Sequence, residues 1–191
     1  IIDHHRYDDI NRMMDTSSLE QFLAHFNVDD EGLVNLGFDA KMVQGVGAID
    51  RGFLWELNKT NLSDDEKKRA RSFYRELTME LGGERRAGEE EAARLAWEDR
   101  KEEHGIIIIE STEDRLSIRD ALSFILADAY PEHPPQVVIK QGSRRLYVQE
   151  TPHAKTLFET FGGFTFGRDA CWGILKEDGS LPSMDEVLAI L

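Results

Sequence analysis

The spacing of apolar residues changes twice along the chain and divides it into three blocks. In the first block, residues 1–61, apolar residues recur at helical spacing after a serine that can serve as an N-cap, which predicts a helix over 17–26. Residues 39–57 predict a helix or a short strand with a glycine-rich interruption before Asp50. The apolar face of the first helix comprises Leu19, Phe22, Leu23 and Phe26.

The second block, residues 62–104, is strongly polar and predicts two helices. Ser63 followed by three acidic residues is typical of a helix N-terminus, and the glycine pair at 82–83 predicts the end of that helix. A second helix is predicted from about Glu89 to Glu103, where the sizeable apolar residues are Leu95 and Trp97. Such a helix can bury little, so we expect a helical linker that lies on the surface or bridges two bodies.

The third block, residues 105–191, alternates strand and helix patterns. The β-branched run 106–109 is typical of a central strand buried on both faces. An amphipathic helix follows, then two strands around Gly142 and Ser143 that predict a hairpin. The remaining segments predict a helix "HAKTLFETFGG", a glycine-rich loop that enters a last strand, "FTFGRDACWGIL", and a short helix "SMDEVLAIL".

These patterns predict an α/β fold class in three parts. Residues 1–61 would be the first part, in which Ile1 and Ile2 form the end of an apolar strand pattern. Residues 62–104 would be the helical linker, and 105–191 a smaller α/β domain with a mixed sheet in the order β-α-β-β-α-β. A chain that begins inside an apolar run also leads us to expect a piece of a longer protein.

The net charge, the cysteine count and the length of the apolar runs restrict which partners and locations we expect for the protein. Lysines and arginines number 23 against 37 acids, which gives a net charge of −14 and argues against a nucleic-acid-binding surface over the whole chain. A phosphate site neutralised by a local divalent ion remains compatible with this charge. The single cysteine, Cys171, fits a reducing cytoplasm, and no apolar run reaches the length of a membrane span. We therefore expect a cytoplasmic protein without membrane contact.

The chain opens with Asp3, His4 and His5 directly after the apolar pair, and this is the strongest chemical feature of the sequence. Carboxyl ends of strands in α/β sheets are where functional crevices form. Imidazole and carboxylate together suit manganese, iron or zinc better than calcium. The alternative is that both histidines are solvated residues after a strand while Asp3 caps a turn, and the tripeptide alone does not separate the two interpretations.

"IIDHH" resembles the signature of the DHH phosphoesterase superfamily, which is named for these three residues. Further features occur in the family's order: a serine-rich helix start, "SSLE"; a segment with an isolated aspartate, "AIDRGF"; and a helical linker that leads to a small C-terminal DHH-associated domain. The family's glycine loop is matched by "GGFTFGRDACWG" at 162–173. The resemblance thus extends over nearly the whole chain, and it implies that residues 1–61 are the C-terminal part of a parallel-sheet DHH-type domain.

The resemblance implies a role for each matching residue. His4 would be a metal ligand, His5 would face the scissile phosphate or the bridging water, and Asp3 would ligate the metal or orient His4. Asp50 would be a late carboxylate ligand for Mn²⁺ or Mg²⁺. In the C-terminal domain three residues would bind the anionic substrate: Gly162, Gly163 and Arg168.

The chain departs from the family in two respects. The family's first two motifs, which supply most of the metal ligands, precede DHH and are absent from this sequence. We therefore expect the chain as given to be inactive or nearly so. The glycine loop also lacks its usual histidine, since position 164 is phenylalanine.

Two functions follow from these expectations. The first is a metal-dependent phosphoesterase that hydrolyses a phosphodiester or phosphoanhydride of a small nucleotide or short oligonucleotide, because the acidic charge disfavours long polymers. The second is a catalytically degenerate relative that keeps the fold and binds a nucleotide or a protein partner. The sequence leaves the oligomeric state open, a homodimer included.

Overall fold

The computed structural model describes residues 16–131, 134–167 and 169–191. It has an α/β fold with 53% helix, a helical region and a smaller domain built on a mixed sheet. The chain divides into two compact units, one ending at Leu81 and the other beginning at Gly82. The strand predicted at residues 1–5 lies outside the described residues.

The first unit, as described from residue 16 onward, is built from helices. Side-chain caps open its first three helices, with Ser17, Asp29 and Asp39 accepting hydrogen bonds from backbone N–H groups of the first turn. The core lies around Leu54 and Leu57, both fully buried. The helices are α1 (Ser18–His25), α2 (Asp30–Asn35), α3 (Ala40–Asn58) and the first part of α4 (Asp64–Glu98).

Two of these helices cross at a contact between very small residues. A Cβ added to Gly45 on α3 would lie 2.5 Å from the Cβ of Ala70 on α4, so the two backbones approach more closely than any side chain at position 45 would allow. Ala70 is fully buried at this crossing. The crossing therefore fixes the start of α4 against α3.

Helix α4 is interrupted at the predicted place. The backbone at Gly83 has φ 52° and ψ −136°, a conformation that glycine adopts without steric cost, and the unit boundary lies beside it. The prediction that the glycine pair ends the first helix is confirmed. Residues beyond the break belong to the second unit.

The second unit is a six-stranded mixed sheet with the order β1-β2-β3-β4-β6-β5. Strands β2 and β3 are parallel and joined through α5, and every other neighbouring pair is antiparallel. The predicted hairpin is confirmed as β3–β4. The elements are β1 (Lys101–Glu103), β2 (Ile106–Ser111), α5 (Arg119–Ala129), β3 (Gln136–Gln141), β4 (Arg145–Gln149), α6 (Ala154–Phe161), β5 (Phe164–Phe166), β6 (Cys171–Leu175) and α7 (Met184–Leu188).

Trp172 anchors the hydrophobic core on one face of this sheet. Its ring is fully buried, and its indole Nε1 donates a hydrogen bond of 2.8 Å to the carbonyl oxygen of Gly162. Burying so large a side chain is favourable because its one polar atom has a partner. The rest of this core comprises Val138, Leu146, Val148, Ala154, Leu157, Ile174 and Val187.

The second half of α4 differs from its prediction in extent and in burial. The helix ends at Glu98, and residues 101–103, predicted as helix, form an edge strand antiparallel to β2. The helix also buries a stripe within the second unit, although it has few large apolar residues. Its buried positions recur at helical spacing: Arg86, Glu89, Ala93 and Ala96.

Candidate functional site

Asp50 lies at the end of the first straight segment of α3, directly before a break in that helix. It is exposed, and its Oδ2 accepts a hydrogen bond of 3.0 Å from the backbone N–H of Ser18, the first residue of α1. The N-terminal N–H groups of a helix lack partners within the helix, and their dipoles favour a negative charge. The start of α1 therefore orients the Asp50 carboxylate.

The same end of α1 carries a capping box. Ser17 Oγ accepts from the Glu20 N–H at 3.0 Å, and Glu20 Oε2 accepts from the Ser17 N–H at 2.6 Å. The Glu20 carboxylate also receives the Arg51 guanidinium, whose Nη1 lies 2.6 Å from Oε1 and 2.8 Å from Oε2. Because Arg51 follows Asp50 in sequence, α3 contacts the start of α1 through two adjacent residues.

Arg51 also binds a second carboxylate. Its Nε donates to Glu56 Oε1 at 3.2 Å, and Glu56, which is buried, is further paired with Lys59 at 3.3 Å. The group therefore contains three acids and two cations when Asp50 is included, and it retains a negative charge.

Hydrogen bonds shift the ionisation of this group. Burial raises the pKa of Glu20, but hydrogen bonds from the Ser17 backbone, the Arg51 guanidinium and the Ser17 hydroxyl outweigh it and hold the pKa below its ordinary value. Burial lowers the pKa of Arg51, and its bonds to Glu20 and Glu56 more than reverse the effect. Both side chains therefore stay ionised at neutral pH.

The surroundings of Gly52 and the conformation of Phe53 restrict which residues can occupy the break in α3. Gly52 has φ −150°, and a Cβ there would lie 2.7 Å from the Cβ of Glu56, so no larger residue fits. Phe53 has φ 63° and ψ −158°, a region that costs a non-glycine residue about 1–3 kcal/mol. Its ring lies 6.4 Å from that of Tyr74 in an edge-to-face arrangement, which favours keeping phenylalanine in this conformation.

The two predicted glycines of the second unit follow α6 and differ in their surroundings. Gly162 has φ 73° and no atom within 4 Å of the place where a Cβ would be. Gly163 has φ 87°, and a Cβ there would lie 2.3 Å from the backbone oxygen of Gly173 on β6. Close packing of the loop on β6 therefore already requires a glycine at 163, independently of any ligand.

The loop between β5 and β6 is closed by a polar side chain. Asp169 accepts a hydrogen bond of 2.6 Å from Thr165 Oγ1 and lies 3.5 Å from Lys155 Nζ. Asp169 has φ 62°. These contacts attach Asp169 to strand β5 and to helix α6.

A cation–aromatic cluster near the same loop is absent from the sequence-based expectations. The Arg119 guanidinium lies 4.7 Å from the Phe166 ring centroid and 5.7 Å from that of Tyr147, and it pairs with Asp120 at 2.6 Å. Its partners come from β4, β5 and α5, so sequence spacing gives no signal for it. The cluster attaches the start of α5 to the sheet.

Three of the seven predicted site residues can be located. Asp50 belongs to the first unit, and Gly162 and Gly163 belong to the second. The other four lie outside the described residues: Asp3, His4, His5 and Arg168.

Sequence reasoning missed the group of Glu20, Arg51 and Glu56 around Asp50. Part of it was visible, because Glu20 stands three residues after Ser17, the spacing of a capping box. Over residues 16–131, 134–167 and 169–191, no three His, Cys, Asp or Glu side chains gather in a way that could hold a metal ion. In that same part of the chain, no helix has the length and apolarity needed to cross a membrane.

Comparisons with known proteins add no relative. The chain matches no protein-family model, and it matches no curated protein. The resemblance to DHH phosphoesterases therefore stays a prediction that depends on the residues themselves.

Proposed function

We propose that this chain is part of a divalent-metal-dependent phosphoesterase of the DHH type. Its substrate would be a phosphodiester or phosphoanhydride of a small nucleotide or short oligonucleotide. A cytoplasmic location belongs to the same proposal, supported by a cysteine count of one, which excludes a disulfide within the chain.

The observation that carries the proposal is the anchoring of Asp50 by the start of α1. Sequence resemblance pairs Asp50 with the Asp3-His4-His5 segment, and α1 is the first helix of the described chain after that segment. The Ser18 N–H binds Asp50 Oδ2, so Asp50 is attached to the first described helix after the signature. This tie supports a common site for the two motifs.

The chemistry of the donors fits Mn²⁺ or Mg²⁺. Asp50 supplies an exposed carboxylate that is itself hydrogen-bonded, as carboxylates that bind metals commonly are. Asp3 and His4 would supply a further carboxylate and an imidazole, a set that suits Mn²⁺. A bound ion would polarise the phosphoryl group and lower the pKa of an attacking water.

The chain's own residues would orient these groups. Ser18 holds one oxygen of Asp50, while Arg51 and its two carboxylate partners fix the helix end that carries it. His5 would face the scissile phosphate and assist the proton transfer there. Gly162 would let the backbone approach the substrate, because the space beside its Cα is open.

The test is hydrolysis of short oligonucleotides and cyclic dinucleotides with Mn²⁺, using the chain extended upstream to include the expected first two motifs. Asp50→Asn keeps an oxygen that can accept the Ser18 N–H and removes the charge, so we expect at least about 100-fold lower kcat with the fold intact. Asp65→Asn, an exposed aspartate in the first turn of α4, is the matched control. Undetectable turnover, or equal activity of Asp50→Asn and wild type, contradicts the proposal.

A second candidate is a relative that binds nucleotides without hydrolysing them. Phe164 begins strand β5 where the family has a histidine, and Gly163 packs directly on β6, so the loop has a structural role of its own. Calorimetry with Mn²⁺ and cyclic dinucleotides separates the two functions. Binding without turnover supports this second candidate, and turnover that depends on His5 rules it out.

A further inference from the structure

We propose that Tyr147, Arg145 and Arg119 form a binding site for a phosphate group in the second unit, beside the first turn of α5. The first two residues lie on strand β4, and Arg119 is the first residue of α5. We call these three residues the Tyr147 site. Asp50 belongs to the first unit, so the proposed binding requires neither Asp50 nor a metal ion bound to it.

Tyr147 is a buried residue whose hydroxyl has no partner within the protein. The residue is only 6% exposed, and its hydroxyl forms no hydrogen bond with any part of the chain that the structure describes. Its ring packs against Gly173 on β6, where an added Cβ would lie 2.7 Å from Tyr147 Cδ1. Buried tyrosine hydroxyls usually find a hydrogen-bond partner. A ligand oxygen would supply the partner that the fold does not.

Arg145 lies two residues before Tyr147 on β4, so the two side chains are on the same face of the sheet. Arg145 is half-buried, and its Nη1 donates a hydrogen bond of 3.3 Å to the carbonyl oxygen of Leu116. Among the described residues it pairs with no carboxylate. The guanidinium is therefore held in place while most of its N–H groups stay unused.

Arg119 provides the third donor, and its guanidinium carbon lies 5.7 Å from the Tyr147 ring centroid. Asp120 Oδ1 accepts hydrogen bonds from Arg119 Nε at 2.8 Å and Nη2 at 2.6 Å. The remaining nitrogen, Nη1, forms no hydrogen bond within the described ranges. Phe166 supports the same guanidinium, with its ring centroid 4.7 Å away. Arg119 is therefore oriented by the protein and keeps one nitrogen for a ligand.

The two arginines meet at the start of α5. Arg145 is bound to Leu116, which precedes Arg119 by three residues. The N-cap residue of α5, Ile118, makes no side-chain cap, so the first turn of this helix keeps its positive dipole end without a side-chain acceptor. The helix end therefore adds to the attraction that the two guanidinium groups exert on an anion.

The charges around the hydroxyl are positive in sum. Burial raises the pKa of Tyr147, the charges of Arg119 and Arg145 lower it, and that of Asp120 raises it again. All three charged groups therefore lie near the hydroxyl, and two cations face one anion. This local charge contrasts with the net charge of −14 of the whole chain.

The number of donors indicates which anion fits. The Tyr147 site offers three separate donor groups, two guanidinium groups and one hydroxyl. A phosphate group has three strong acceptor oxygens, whereas a carboxylate has two. Guanidinium groups also match the geometry of phosphate oxygens. A phosphate group, either free or at the end of a nucleoside monophosphate, is therefore the ligand that uses all three donors.

The test is a titration of the full chain with inorganic phosphate, followed by amide chemical shifts at constant ionic strength. EDTA in the buffer removes divalent ions, so the outcome does not depend on a metal site at Asp50. We expect saturable shifts at residues 119–121 and 145–147 with a dissociation constant of about 0.1–10 mM, because the contacts to so small a ligand are few. No saturable shift in these residues up to about 50 mM phosphate overturns the proposal.

Two further ligands define the chemistry. Acetate should bind at least about tenfold more weakly than phosphate, because it leaves one donor unused, and equal binding overturns the assignment to phosphate. AMP separates the two sources of the phosphate group. Tighter binding of AMP than of inorganic phosphate supports a nucleotide ligand, equal binding supports free phosphate, and binding of neither overturns the site.

Tyr147→Phe removes the hydroxyl and keeps the ring. We expect the dissociation constant for phosphate to rise at least about fivefold while the melting temperature does not fall, because the lost hydroxyl has no partner in the fold. Tyr130→Phe, at the other end of α5, is the matched control and should bind phosphate as the wild type does. Unchanged binding by Tyr147→Phe overturns the proposal, as does a fall in melting temperature without a change in binding.

Arg145→Gln removes the cation that has no carboxylate partner. We expect at least about a tenfold rise in the dissociation constant for phosphate, and a smaller rise in Arg145→Lys, which keeps the charge but loses the planar set of donors. Arg94→Gln is the control, since Arg94 belongs to the same unit but is paired with two glutamates. If Arg145→Gln does not fold, Arg145→Lys and Tyr147→Phe provide the test. Equal binding by the folded Arg145 variants and the wild type overturns the proposal.

Discussion

Arg51 holds together two carboxylates from different parts of the first unit, and replacing it should destabilise the start of α1 and the break in α3 together. Its side chain is only 17% exposed, and that of Glu56 is 8% exposed. Arg51→Met keeps most of the apolar stem while it removes the charge and every hydrogen bond of the guanidinium. Glu20 and Glu56 would then face each other without the cation between them.

The magnitude follows from burial. Removing one partner of a fully buried ion pair costs about 3–5 kcal/mol, because the remaining charge keeps its desolvation penalty. Glu20 is one-third exposed and Glu56 keeps its contact with Lys59, so water and a second cation offset part of that cost. We expect about 2–3 kcal/mol of lost local stability, which is about a 30-fold or greater rise in the open population.

Hydrogen exchange measured by mass spectrometry is the suitable assay because it reports each unit separately. Peptides that include 17–25 and 50–57 should exchange about 30-fold faster in Arg51→Met, while peptides from β2 and β3 should be unchanged. Arg94→Met is the matched control. Arg94 also bridges two glutamates, Glu91 and Glu98, but its side chain is 50% exposed.

The comparison of these two arginines decides whether burial is the cause. Exposed ion pairs contribute little because solvent screens them, so Arg94→Met should leave exchange in its own helix nearly unchanged. Equal effects of the two substitutions, or a change in Arg51→Met confined to residue 51, would refute the reasoning.

Acid should weaken the same region. Burial raises the pKa of Glu20, but hydrogen bonds to its carboxylate outweigh it, so this stabilisation is present above the ordinary pKa of 4.5 and is lost as the pH falls through the lower folded value. Protection factors of the α1 amides, corrected for the pH dependence of intrinsic exchange, should therefore fall below about pH 4.5 in the wild type and change less in Glu20→Gln. In the second unit, Gly163→Ala should lower the melting temperature more than Gly162→Ala, because only the former forces a Cβ against the Gly173 oxygen. Equal losses in thermal unfolding would show that the shared left-handed conformation, not the contact, limits both positions.

The sheet domain was largely predictable because its signals are local. The β-branched run became β2, and the glycine–serine pair became the turn between β3 and β4. The glycines after α6 also ended that helix as expected. Each of these features is set by a few adjacent residues whose conformational preferences agree with the fold.

The second half of α4 could not be predicted because its burial depends on tertiary partners. Arg86 and Glu89 pair with each other at 3.1 Å inside the unit, and the Arg86 guanidinium lies 6.0 Å from the Phe124 ring. Ala93 is fully buried although its side chain is small. A prediction from the number of large apolar residues therefore misses the burial of all three. It also misses the hydrogen bonds that residues 101–103 form with β2 as an edge strand in place of a further helical turn.

The candidate site was predicted only in part for a similar reason. Asp50 was identified from a motif, but its orientation depends on an N–H group 32 positions earlier in the chain. Arg51 has one distant partner and one local partner: Glu20 lies 31 positions away in the sequence, and Glu56 lies 5 positions away. Long-range pairs of this kind become visible only once the helices are packed.

The break in α3 constrains length as well as identity. Position 52 admits no Cβ because of Glu56, and position 53 takes a left-handed conformation that its ring contact favours. One residue inserted or deleted in α3 between Ala40 and Asp50 would rotate Asp50 by about 100° around the helix axis relative to the start of α3. Its carboxylate would then point away from the Ser18 N–H. We therefore expect no insertion or deletion to be tolerated within the four residues from Asp50 to Phe53. Changes in chain length should be tolerated at the turns between helices instead.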